Sequence, residues 1–384
     1  MGIGLYIHIP FCKQKCNYCD FNSGPFRSAD LDQYVVLLEQ ESALYFKQYG
    51  ALEVETIFIG GGTPSVLETA HILSIGKTLK SYFDLSTLKE FTFEANPESV
   101  TVEKAEAFKA IGANRVSIGL QTANDAELFA ISRIHDWQTF LKTYQIFRQT
   151  GYDNINIDLM IGLPGQTKES YLDSLEKVIA LEPDHLSNYG LIIEDETPLA
   201  NQVSKGLVTI LDGDHERDLY HLAAELLEEK GYSLYEISNF SKNGKHCFHN
   251  INYWRCGEYA ALGVGAHGYL NGERFENAIT LENYAALLKG GERPLIHTEA
   301  IGLKEREQEY IMLGLRMSEG IDAEHYKMLF GKNPFEIFES VIKKYEETGH
   351  LLTTDKGFSL TLDGMDISNA IIIDFFECFD SINE

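Results

Sequence analysis

The chain has 384 residues, 44% of them hydrophobic and 23% charged, a globular composition with room for a large core and two domains of unequal size. Its formal net charge of −26 argues against general nucleic-acid binding, which draws on Lys and Arg at phosphates, and against docking on anionic lipid. No run approaches the ~20 apolar residues of a membrane span, and MGIGLYIHIPF lacks the basic flank and apolar stretch of a signal peptide, so a cytoplasmic protein is expected.

In chain order, short β-rich runs alternate with longer runs of helical apolar spacing. The strand-like runs are LYIHIP (5–10), TIFIGGG (56–62), EFTFEANP (90–97), RVSIGLQT (115–122), INIDLMIGLP (155–164) and HLSNYGLIIE (185–194). Helix candidates such as LDQYVVLLEQESALYFKQ and YLDSLEKVIALE lie between them. Alternation of this kind predicts a parallel sheet with right-handed crossovers. The fold class expected is α/β, a partial (β/α)6 barrel over 1–235. In such barrels the working residues stand at the C-terminal strand ends. Those ends carry Gly60 to Gly62, Glu94, Gln121 and Asp158.

From residue 236 the rhythm breaks. ISNFSKNGKHCFHNINYW (237–254) reads as polar, aromatic loop, and AALGVGAHGYLNG (260–272) is rich in glycine. From Leu281 helical patterns dominate, and HLLTTDKGFSL (350–360) places two short β runs around a turn. A smaller, mostly helical C-terminal domain, 236–384, with a winged-helix-like end is expected.

Six cysteines are too few for a disulfide scaffold of this length, and three of them cluster as Cys12, Cys16 and Cys19. Thiolates suit zinc or an iron–sulfur cluster. Three could hold three irons of a [4Fe–4S] cluster and leave the fourth iron open, as catalytic metal sites do. The alternative is zinc, with His8 or Asp20 as fourth ligand.

The spacing Cys12-x3-Cys16-x2-Cys19, with Tyr18 before the last cysteine, resembles the radical S-adenosylmethionine (SAM) superfamily. The resemblance implies that the amino and carboxylate groups of SAM complete the cluster at the open iron. It implies SAM contacts at Tyr6 in YIHIPFC and along GGGTPS, at Gly61, Gly62 and Thr63. Glu94, Gln121, Arg133 and Asp158 fall where the family contacts the ribose and the methionine part, and Ile192 where an apolar wall meets adenine. Taken one at a time, each of these is equally well a salt bridge or a turn at the barrel rim.

Within the superfamily the chain is similar to the coproporphyrinogen dehydrogenase relatives, which divide into the dehydrogenase and a haem-chaperone branch. Phe21 stands where the dehydrogenase has a fourth cysteine, only five residues precede Tyr6, and HNINYW (249–254) matches the HNxxYW signature of the chaperone branch. The resemblance therefore implies a haem chaperone that passes haem to an acceptor protein. The alternative is an oxygen-independent coproporphyrinogen III dehydrogenase. His249 is the expected axial haem ligand, with His246 and Cys247 as neighbouring alternatives, since a neutral imidazole suits haem iron. The competing reading of HNINYW is a packed corner. A homodimer, and membrane contact through a partner, are compatible with this picture.

Overall fold

The fold is described from a computed structural model covering residues 2–381. Six strands form its centre: β1 (Ile3–Ile9), β2 (Leu52–Gly61), β3 (Glu90–Ala95), β4 (Arg115–Gln121), β5 (Ile155–Ile161) and β6 (His185–Gly190). They pair in that order and all in parallel. Helices between them, such as Ser28–Tyr49, Thr69–Tyr82 and Lys168–Ile179, cover the outer face. The α/β reading and the six runs are borne out.

The strands alternate in a way that positions the site. One parity is apolar and joins the core under the helices: Leu5, Ile7 and Ile9 in β1, Ile57 and Ile59 in β2, Phe91 and Phe93 in β3, Val116 and Ile118 in β4, Ile155, Ile157 and Leu159 in β5. Burying such side chains contributes roughly 1.5–3 kcal/mol each. The other parity faces the concave side and is largely polar: Glu94, Ser117, Gln121, Asn156, Asp158 and Ser187. The outer face thus supplies the cohesion, and the inner face is left free for chemistry.

The sheet does not end with β6. β7 (Ser233–Glu236) and β8 (Asn239–Ser241) extend it beyond β6, with β8 antiparallel to β6. On the other edge β9 (Tyr259–Leu262) lies parallel to β1, followed by β10 (His267–Leu270), β11 (Glu273–Asn277) and β12 (Leu295–Ala300) in antiparallel array. Ala260, Leu262, Phe275 and Tyr284 belong to the same core as the six parallel strands. The boundary expected at 235/236 therefore cuts through β7. The physical reason is that the edge of β1 has open backbone groups, and β9 satisfies them. A second core runs from Tyr310 to Phe379. It contains β13 (Ile321–Asp322), β14 (Leu351–Thr354) and β15 (Gly357–Leu360) as a small antiparallel sheet among helices. Among the described residues no helix is long and apolar enough to cross a membrane.

Candidate functional site

The cysteine loop leaves β1 and is closed at its neck. Cys12 N donates to Gly24 O at 2.9 Å and Gly24 N to Pro10 O at 3.0 Å. Residues between these points form a compact surface loop. It is tied to the rest of the barrel by Gln14 Nε2 donating to Ser132 O and Asn17 Nδ2 to Ala130 O. Cys12 is buried, Cys16 and Cys19 are half-buried, and all three face one cavity of about 430 Å³. Burial pushes the Cys19 thiol up, against a backbone N–H from Phe21 that favours the thiolate. Thr63 Oγ1 donates to Cys12 Sγ at 3.4 Å, and an Arg133 N–H points at Cys16 Sγ at 3.6 Å. Donors aimed at sulfur fit thiolates held by a metal, so this donor set suits a cluster.

The cavity gathers most of the expected SAM residues. Tyr18, Gly61, Gly62, Thr63, Glu94, Gln121, Arg133, Asp158 and Ile192 all line it. Gly61 has φ +107°, and a Cβ there would stand 2.4 Å from the His8 ring, so no side chain fits. Its N–H donates to Glu94 Oε2 at 3.1 Å. The close approach made by this glycine is thus to the protein's own His8. Ile192, 70% exposed, and Phe21, at 60%, both line the cavity.

Three expected residues are placed differently. Tyr6 is not among the residues lining the cavity: its ring stacks on Phe58, a lining residue, and its hydroxyl is 2.9 Å from His8 Nδ1. Arg133 does not project as a free carboxylate clamp. Its guanidinium is shared among Asn96 Oδ1 at 2.8 Å, Gly119 O and Cys16 Sγ, and only its buried Nε lacks a partner.

His249 is the third. HNINYW is not a loop but part of a helix, Phe248–Trp254, which closes the concave side of the barrel at its base. The Glu90 carboxylate accepts from Phe248 N at 2.9 Å and from His249 N at 3.2 Å, satisfying the free N–H groups of the helix start. The His249 ring has no exposure, stacks on Phe58, and bonds through both nitrogens, Nδ1 to Thr56 Oγ1 at 2.9 Å and Nε2 to Tyr253 Oη at 2.8 Å. Burial lowers its pKa to about 3, so the ring is neutral. An imidazole with both nitrogens engaged and no open face does not ligate haem in this conformation; the packed corner is what the structure shows. Cys247 is equally enclosed, its thiol pushed up to about 12 by burial. His246 is half-buried, stacked on Tyr235 with ring centroids 4.3 Å apart.

Sequence reasoning missed Asn96, Arg115, Ser117, Asn156, Ser187, Tyr189 and Asn250, which also line the cavity. The signal was present for those on strands. Ser117, Asn156 and Ser187 share the parity of Gln121, Asp158 and Tyr189 in their respective strands. Their hydroxyl and amide groups meet Asp158: Ser117 Oγ donates to Asp158 Oδ1 at 3.3 Å and Asn156 Nδ2 at 2.6 Å. Asn250 is the one residue of HNINYW that reaches the cavity.

Two carboxyls share the low-dielectric interior. Burial raises Glu94 to about 8, with the Asp158 charge adding to the effect, and burial also raises Asp158. In the unfolded chain Glu94 ionises near 4.5. Between about pH 4.5 and 8 the native state therefore holds the extra proton, and stability falls as pH rises through this window. Glu94→Gln mimics the protonated form and keeps an acceptor for Gly61 N–H. We expect it to raise the melting temperature of the metal-free protein at pH 8 and to leave it unchanged at pH 4.5. Equal gains at both pH values would refute the ionisation account.

The chain is matched by the model of the radical SAM superfamily over residues 6–178 and by that of the HemN C-terminal domain over 302–367. It is 35% identical to the heme chaperone HemW of Bacillus subtilis (strain 168) over 370 residues, covering 95% of this chain and 97% of that protein. It is 32% identical to the mitochondrial radical S-adenosyl methionine domain-containing protein 1 of Mus musculus, covering 96% of this chain and 86% of the relative. Among solved structures, coproporphyrinogen III oxidase (HemN) from Escherichia coli superposes with a TM-score of 0.82 at 22% identity, over 99% of this chain and 90% of that one. This last likeness speaks to the fold alone.

Proposed function

The chain belongs to the HemW family of radical SAM proteins, and from that premise we propose that it is a haem chaperone: it binds haem, carries a [4Fe–4S] cluster with SAM, and hands the haem to an acceptor protein. The observation that carries the proposal is the end-to-end likeness to a heme chaperone, joined to three thiols that line one cavity with the residues expected for SAM. Cys12, Cys16 and Cys19 would hold the cluster. The cluster supplies, when bound, an electron for SAM and an open iron for its amino and carboxylate groups.

The roles of the chain's own residues follow from their placement. Glu94 and Asp158, one strand apart from each other across β4, offer acceptors to ribose hydroxyls, and Gln121 lies between them on β4. Tyr18 and Ile192 supply apolar surface at the mouth. Tyr6 acts through Phe58 and His8 rather than by touching the ligand. Phe21, exposed at the mouth in place of a cysteine, speaks against the dehydrogenase alternative. We place the protein in the cytoplasm, with contact to membranes through its acceptor.

For haem, the accessible ring of the HNINYW neighbourhood is His246. Ligation by His249 would require the helix Phe248–Trp254 to leave Glu90 and Thr56. Haem titrations followed at the Soret band test the proposal. His246→Ala is expected to weaken haem binding about tenfold or more and to shift the band, with the iron and sulfide content unchanged. Full affinity in His246→Ala, with loss in His249→Ala at unchanged melting temperature, would return the ligand to His249. A wild-type protein that takes up no haem would overturn the chaperone reading.

A further inference from the structure

Two side-chain donors reach cluster sulfurs, and one residue connects them. Asn96 follows β3, and its backbone is pinned: Asn96 N donates to Ser65 Oγ at 3.0 Å, and Asn96 O accepts from Ser99 N at 3.0 Å. Its side chain lies between Arg133 and Thr63. Arginine can only donate. The oxygen of the Asn96 amide must therefore face Arg133, 2.8 Å from its guanidinium nitrogen. The amide nitrogen then faces Thr63 and donates to its Oγ1 at 3.0 Å. A hydroxyl has one hydrogen, and with Asn96 donating to the oxygen, that hydrogen is left for Cys12 Sγ at 3.4 Å. On the other side, the Arg133 nitrogen that Asn96 does not use points at Cys16 Sγ at 3.6 Å. The chain of bonds runs from Cys16 through Arg133, Asn96 and Thr63 to Cys12, and the direction of each donation is fixed by Arg133.

We propose that Asn96 is a positioning residue that orients Arg133 and Thr63 as paired donors to the cluster sulfurs and so raises the cluster's reduction potential; this rests on the cluster assignment above. The reasoning is electrostatic. One-electron reduction from the 2+ to the 1+ state adds negative charge that spreads onto the sulfurs. Hydrogen bonds and a guanidinium charge at those sulfurs favour the reduced state, and such contacts are among the levers that set cluster potentials. Thr63 is buried, so solvent screens its hydroxyl little, while Arg133 is half-buried in the cavity wall.

The test is an anaerobic redox titration, with dithionite as electron donor and EPR as readout, on the reconstituted full-length protein and three variants. Thr63→Val removes the hydroxyl at nearly constant volume. Asn96→Leu removes the connector and leaves both donors present. Thr63→Ser keeps the donor. At the potential that half-reduces the wild type, Thr63→Val and Asn96→Leu should show a reduced-to-oxidised ratio about tenfold lower, about 59 mV for a one-electron couple. Thr63→Ser should match the wild type. Unchanged potentials in loaded Thr63→Val and Asn96→Leu would overturn the inference. So would a failure of both to load iron in proteins that melt like the wild type, because the network would then hold the ligands rather than tune them. A wild type that takes up no iron and sulfide would instead refute the cluster assignment itself.

Discussion

Cys16→Ala is expected to leave the protein unable to hold a [4Fe–4S] cluster, with the same result for Cys12→Ala and Cys19→Ala. Each thiolate would bind a separate iron, and no other cysteine lines the cavity. Cys247 is enclosed behind Glu90, and Cys378 belongs to the second core. Cys378→Ala should therefore load normally. The effect is all or none, because a site already one ligand short of four cannot spare another. Iron and sulfide counts after anaerobic reconstitution provide the check. A full cluster in Cys16→Ala, or zinc taken up in preference to iron by the wild type, would contradict the assignment.

Glu90→Ala is expected to cost roughly 2–6 kcal/mol of stability, from two helix N–H groups left without an acceptor at ~1–3 kcal/mol each. Its carboxylate accepts from both Phe248 N and His249 N, and it neighbours the Cys247 thiol. The buried Arg115 also loses a compensating charge. Glu90→Gln, which keeps one acceptor oxygen, should cost less. Chemical denaturation measures both. Because Glu90 holds the helix that seats His249, Glu90→Ala should also raise the exposure of this segment to hydrogen exchange. A loss below ~0.5 kcal/mol with unchanged exchange would mean that the helix is held from elsewhere.

The features read correctly from the sequence are the local ones. The three cysteines lie within one loop, so their spacing marked them as joint metal ligands, and the resemblance decided for a cluster over zinc. The six parallel strands were legible because their outward parity, for example Ile155, Ile157 and Leu159, is continuously apolar. The inward parity was legible only in part. Glu94 and Asp158 stand out as charges at strand ends, whereas Ser117 and Ser187 look like ordinary strand residues until neighbouring strands bring them to one cavity.

What was not legible depends on partners far along the chain. The helix Phe248–Trp254 has no cap of its own; its cap comes from Glu90, so the segment read as loop. The short strands β9 and β10 are separated by Gly263 and Gly265, β10 itself contains Gly268, and β9 pairs with the edge of β1. Arg133 sits in a region of turns, and only the fold brings Asn96 and Cys16 to its guanidinium. Its expected part in binding SAM followed from the resemblance, and its placement follows from these contacts.

We propose that three thiolates present an open iron to SAM inside this cavity. EPR of the reduced, reconstituted protein, recorded without and with SAM on the same sample, is the decisive measurement. The expected result is a cluster of about four irons and four sulfides per chain whose spectrum changes when SAM is added, with weaker SAM binding in Asp158→Asn by roughly ten- to a hundred-fold. A loaded cluster with a spectrum indifferent to SAM would contradict it.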